Sequence, residues 1–187
     1  MEEVIKKCVS ILKEGKVILY PTDTVWGIGC DATCEEAISR IYRIKQRNEK
    51  KSMIILIDSA QRLPMYVERI PLIAWDLLSH VSRPTTFIYE TACNLPQKII
   101  HEDGTIAIRI VQDNFCKRVI KELGHPLIST SANVAGQPTP PTFDKIDPQV
   151  IAEMDYVVPQ ECASSTEFKP SRLIKFLDDY NFTIVRN

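Results

Sequence analysis

Four short segments carry side chains able to hold an anion and to assist chemistry on it. The first is Pro21-Thr22-Asp23-Thr24-Val25-Trp26-Gly27-Ile28-Gly29, which directly follows the apolar run Val17-Ile18-Leu19-Tyr20. Two hydroxyls, a carboxylate and two glycines at a strand end suit a ligand-facing loop, because glycine lets backbone approach a bound molecule. The same residues also suit a plain turn that bonds its own backbone. The second segment runs from 40 to 51, where Arg40, Arg43, Lys45, Arg47, Lys50 and Lys51 face Glu49 alone. Arg40, Arg43 and Arg47 share a solvated helix face. Lys45 instead ends the apolar stripe of Ala37, Ile41 and Ile44, so it points toward a cleft or snorkels out of one. With Arg47 it can hold phosphates, the arginine as a bidentate fork and the lysine as a point charge.

The third segment, Ser129-Thr130-Ser131-Ala132-Asn133, follows Leu127-Ile128 and precedes Gly136. Hydroxyls and an amide at a strand's carboxyl end suit ligand hydrogen bonding, and they equally suit a cap or turn. In the fourth, Thr105 and Arg109 lie four apart on one predicted strand and share a face with Ala107, while Ile106, Ile108 and Ile110 face a core. An arginine on a central strand is costly to bury unpaired, so Arg109 needs a carboxylate or another anion.

These segments need elements to hold them. The apolar spacing predicts helices over 2–14, 33–45, 72–81 and 114–123. The second opens with a capping box of Thr33 and Glu36, and the last stops at Gly124. Strands are expected at 16–20, 53–57, 85–89, 105–110, from 127, 156–158, 173–176 and 183–185. The proline-rich stretch from Pro138 to Pro148 reads as ordered loop. Strands and helices mix irregularly, which predicts an α/β protein with an open, twisted mixed β-sheet, in a single domain over 1–187.

Composition narrows the function. The net charge is −1, with 44% hydrophobic and 25% charged residues, so the whole chain is not a basic nucleic-acid binder. The longest aliphatic run, Met53 to Ile57, is too short to cross a membrane, and Glu2 and Glu3 stand where a signal peptide is basic. Six cysteines without a C-x-x-C pair read as free thiols of a cytoplasmic protein, and no metal site is expected. Neither a P-loop nor a G-x-S-x-G elbow occurs. The residues alone point to an anionic small ligand such as a nucleotide and name no reaction.

Taken in order, Tyr20 to Gly27, Lys45-Gln46-Arg47, Thr105 to Arg109, and Ser131-Ala132-Asn133 with Gly136 and Pro138-Thr139 resemble the YrdC-like threonylcarbamoyl-AMP synthases. The likeness runs from about residue 10 to the C-terminus. It implies an open sheet flanked by helices, with a positively charged concave cleft. It also implies a reaction: L-threonine, bicarbonate and ATP give threonylcarbamoyl-AMP and pyrophosphate, for the threonylcarbamoyl-adenosine modification of tRNA. By resemblance, Thr24, Arg109 and Ser171 hold L-threonine. Lys45 and Arg47 neutralise the triphosphate and the transition state. Lys51, Thr105, Ser129, Ser131, Asn133 and Arg186 contact ATP, and Mg2+ accompanies the phosphates. Expected partners are contacts with tRNA or RNA and downstream proteins that accept the threonylcarbamoyl group. Two other readings remain: a non-catalytic RNA-binding module using the 40–51 patch, and a carbamoyltransferase-type adenylate domain.

Overall fold

Alternation along the strands sorts side chains to two faces of one sheet, and the cleft is the part of one face that helices leave bare. The computed structural model describes residues 1–48, 53–163 and 169–187. In chain order its elements are α1 (Glu2–Lys13), β1 (Ile18–Tyr20), β2 (Gly27–Gly29), α2 (Glu35–Ile44), β3 (Ile54–Ile57), α3 (Leu72–Ser79) and β4 (Thr85–Tyr89). Then come β5 (Ile106–Ile110), α4 (Asn114–Leu123), β6 (Leu127–Ser131), α5 (Pro148–Ala152), β7 (Tyr156–Val157), β8 (Arg172–Phe176) and β9 (Phe182–Arg186). The described strands form one sheet in the order β7-β1-β2-β6-β3-β5-β4-β8-β9. Three pairings are parallel, β1 with β7, β3 with β5 and β4 with β8, and the rest are antiparallel. This is the mixed open sheet flanked by helices that the sequence predicts.

One face packs Leu19, Ile28, Ile55, Ile57, Phe87, Ile108 and Ile128 against Ile38 and Ile41 of α2 and Ala74 of α3. The other packs Ile18, Tyr20, Leu56 and Leu127 under α1 and α4. The helix α4 forms because Phe115, Cys116, Val119, Ile120 and Leu123 recur at helical spacing. Asp113 caps it by accepting from Cys116 N at 2.7 Å, and Gly124 ends it at φ +83°.

Several expectations need correction. The capping box at Thr33 does not form: Cys34 is the N-cap and makes no side-chain cap bond. Asp31 Oδ1 takes both Thr33 N at 2.8 Å and Thr33 Oγ1 at 2.7 Å, a local turn that diverts the hydroxyl. The stretch from Pro138 to Pro148 is loop apart from a 3-10 turn at Phe143–Lys145, and α5, capped by Asp147, begins at its last residue. The strand expected from Thr105 begins at Ile106.

The segment Gly27–Gly29, read as loop, is a central strand. Glycine disfavours strands, yet here it is required. A Cβ on Gly29 would lie 2.5 Å from Ile128 O and 2.6 Å from Tyr20 Cε1. The Tyr20 ring crosses this strand so that its hydroxyl can donate to Ile128 O at 3.1 Å. Gly29→Ala is therefore expected to cost roughly 2–3 kcal/mol, seen as a melting temperature lower by roughly 5–10 °C. Gly27→Ala meets only contacts of 3.3 Å or more and should melt close to the parent.

Candidate active site

On the face that α1 and α4 cover, the next residues along the same strands are small, polar or cationic. Cross-strand pairing places Ile54 beside both Ala107 and Ser129, Ala107 beside Ile88, and Gly27 beside Ser131. These residues floor a cleft of about 310 Å³. Its walls include Thr24, Arg47, Arg109, Ser171 and Arg186. A larger hollow of about 470 Å³ lies against the β8–β9 turn, beside Arg69, Asp178 and Asp179. There Arg69 pairs with Asp179, and Asp178 accepts from Tyr180 N and Asn181 N, so its polar groups hold the hairpin. The chemistry therefore belongs to the smaller cleft.

Arg109 is 2% exposed. Its Nη2 lies 3.1 Å from Asp23 Oδ1, which is also buried. The pair is out of line for a hydrogen bond, so Arg109 Nε, Arg109 Nη2 and Asp23 Oδ1 have no aligned partner among the described residues. Asp23 is itself held by Gln112 N, which donates to its Oδ2 at 3.2 Å. The carboxylate that Arg109 needed for burial is thus Asp23, while the fork keeps capacity for a second anion in the cleft. Neither composition nor spacing singled out Asp23. The signal present in the sequence was an acid in a strand-end loop together with a lone strand arginine.

Arg47 reaches the cleft because α2 ends abruptly. Gln46 adopts φ +48°, Gln46 N donates to Arg43 O at 3.0 Å, and Arg47 N donates to Tyr42 O at 3.0 Å. This paired closure of a helix end normally uses glycine, and it turns the chain so that residue 47 leaves the helix axis. Lys45, two residues earlier, goes inward instead. It is 1% exposed, and its Nζ donates to Ser131 O at 2.5 Å and Asn133 O at 2.6 Å. Burial, and then the charge of Arg47, pull its ammonium down to about 8. Lys45 thus lies beneath the Ser131–Asn133 loop and does not snorkel.

The opposite wall comes from the C-terminal hairpin. Arg186 Nε and Nη2 donate to Ser171 O at 3.1 and 2.9 Å. Ser171 Oγ is 2.7 Å from Thr86 Oγ1. Burial, and then Arg109, lower the affinity of Arg186 for its proton, so the two guanidinium groups feel each other across the cleft.

Of the residues singled out from sequence, Thr24, Arg47, Arg109, Ser129, Ser131, Ser171 and Arg186 meet at this cleft. Two others are not among its lining residues. Thr105 donates its hydroxyl to Asp103 Oδ1 at 2.6 Å, at the far end of β5 from Arg109. Asn133 braces the loop, accepting from Ser131 Oγ at 2.5 Å and donating to Gln137 O at 2.6 Å. Lys51 lies outside the described residues, as do Glu49 and Lys50 of the basic cluster. Thr139 also lines the cleft, and sequence reasoning assigns it no role.

Among the described residues no cluster of three or more histidine, cysteine or acidic side chains could hold a metal ion. No described helix is long and apolar enough to cross a membrane.

The family model Sua5_yciO_yrdC, described as telomere recombination, matches residues 10–187. A threonylcarbamoyl-AMP synthase of Pseudoalteromonas translucida is 33% identical over 169 residues, covering 89% of this chain and 90% of that protein. One of Xanthomonas euvesicatoria is 33% identical over 179 residues, covering 92% and 96%. Among solved structures, P. abyssi Sua5 complexed with L-threonine superposes with a TM-score of 0.87 at 24% identity, over 97% of this chain and 53% of that one. This chain thus spans about half the length of that Sua5 chain. E. coli YciO superposes with a TM-score of 0.82 at 22% identity, over 100% and 90%. At these identities the superpositions speak for the fold.

Proposed function

Because the chain belongs to the Sua5/YciO/YrdC family, we infer that it is a threonylcarbamoyl-AMP synthase, which joins L-threonine, bicarbonate and Mg·ATP into threonylcarbamoyl-AMP, pyrophosphate and water. The observation that carries this reading to a site is the convergence of Arg47, Arg109 and Arg186 on one cleft with Ser129 and Ser131.

The chemistry needs no protein nucleophile. The threonine nitrogen captures carbon dioxide as a carbamate, a carbamate oxygen attacks the α-phosphorus, and pyrophosphate leaves. Reactants held in line, with their charge neutralised, account for the rate. In this reading the free capacity of the Arg109 fork takes the threonine carboxylate, with Thr24 and Ser171 beside it. Arg47 and Lys45 neutralise the triphosphate, and Lys45 reaches it by moving Nζ off the Ser131 and Asn133 carbonyls. Ser129, Ser131 and Arg186 line the nucleotide. Asn133 acts on it by bracing the loop that carries Ser131, and Thr105 and Lys51 are assigned to it by the family resemblance alone. Mg2+, when bound with ATP, would neutralise phosphate charge and would be held by the triphosphate rather than by a protein cage. Three arginines line the cleft and one of them is paired with Asp23, an excess of positive charge that supports an anionic substrate. The product is passed, in the cytoplasm, to proteins that modify tRNA.

Isothermal calorimetry tests the amino-acid half of this reading. L-threonine should give saturable binding heat in the presence of a non-hydrolysable ATP analogue. No heat with L-threonine, while the ATP analogue binds, would remove the amino-acid assignment.

A further inference from the structure

Thr22 has no ligand in the synthase reading, yet it decides what Thr24 can offer one. Thr22 Oγ1 donates its single proton to Val25 O at 2.7 Å. It accepts from Thr24 N at 3.0 Å and lies 2.9 Å from Thr24 Oγ1. A carbonyl oxygen can only accept, so the Thr22 proton is committed. The 2.9 Å contact is then made by the Thr24 hydroxyl donating to Thr22 Oγ1. One donated and two accepted bonds saturate Thr22. Thr24 lines the cleft with both lone pairs available and its proton spent.

We infer that Thr22 is a positioning residue that makes Thr24 a pure acceptor for the α-nitrogen N–H of the amino-acid substrate. The inference rests on the synthase reading. With Arg109 on the carboxylate, threonine has two donors left, its β-hydroxyl and its α-nitrogen, and the nitrogen is the one bonded to the carbon that bears the carboxylate. It carries at least one N–H as ammonium, as amine and as carbamate, so an acceptor serves every stage. The polarity also protects the reaction. A hydroxyl free to donate would bond the amine's lone pair, the pair that must attack carbon dioxide. A hydroxyl that only accepts leaves that pair exposed.

The test compares Thr22→Ser, which keeps the hydroxyl relay, with Thr22→Val, which keeps the shape and abolishes it. Pyrophosphate release is followed with L-threonine and ATP varied separately, and melting is measured alongside. Thr22→Val should raise KM for L-threonine about tenfold or more while KM for ATP moves by less than about twofold. Thr22→Ser should restore the parent values. An unchanged KM for L-threonine in Thr22→Val would overturn the inference. So would a parallel rise in both KM values with lower melting and no recovery in Thr22→Ser, which marks a turn that is only structural. Release by the parent protein that does not need L-threonine would overturn the synthase reading itself, and the inference with it.

Discussion

Lys45→Met is expected to slow pyrophosphate release by about 10²–10³-fold, the scale of loss when a charge that offsets a developing anion is removed. Methionine keeps most of the volume of a side chain that is 1% exposed, so the core stays filled. Truncation to alanine would mix two effects, because Lys45 is both charge and packing. Even in Lys45→Met the carbonyls of Ser131 and Asn133 lose their donor. That loss opposes the gain from removing a buried charge, so melting at neutral pH should move by only a few degrees.

Lys45 also gives pH signatures of opposite sign. Its pKa is about 8 in the folded chain, below the ordinary 10.5. The cost of burying the ammonium is full below about pH 8 and is relieved as pH rises toward 10.5, where the unfolded chain still binds the proton. Stability from this group therefore rises across that window. Activity falls there, because the neutral amine cannot offset phosphate charge. Profiles of kcat/KM for ATP should show a descending limb near pH 8 in the parent and none in Lys45→Met.

Arg109→Lys should raise KM for L-threonine about tenfold to a hundredfold while changing KM for ATP much less. Lysine keeps a positive charge opposite Asp23 but has no planar fork to hold Asp23 and a substrate carboxylate together. Arg109→Ala is a different experiment. It leaves Asp23 buried without a counter-charge, at a cost of about 3–5 kcal/mol. A large fall in melting for alanine, with little for lysine, would show that Arg109 carries both roles. Equal KM values for L-threonine in the parent and Arg109→Lys would separate Arg109 from the amino acid.

Elements dictated by periodicity were largely legible in the sequence. The helix 114–123 and the strand 85–89 lie where their apolar spacing puts them, and Arg109 does share its face with Ala107 rather than with the isoleucines. Features that depend on contacts between distant segments were hidden. Gly27–Gly29 reads as loop because its strand character comes from the Tyr20 ring and the Ile128 carbonyl, which exclude any side chain at Gly29. Lys45 stands at the edge of an apolar stripe whether it snorkels or turns inward. The choice is decided by the Ser131 and Asn133 carbonyls, 86 and 88 residues away. The Arg109–Asp23 pair joins the loop after β1 to β5 and has no local signature. Thr22 and Thr24 are two hydroxyls at i and i+2 in any reading; only the orientation of Val25 O fixes which one donates.

Whether this cleft couples L-threonine and bicarbonate to cleavage of ATP is tested most directly by pyrophosphate release from Mg·ATP, with L-threonine and bicarbonate omitted in turn. Release is expected when both are present and should be lost when either is left out. Release that persists without L-threonine, or none with all three present while ATP binds, would contradict the synthase reading.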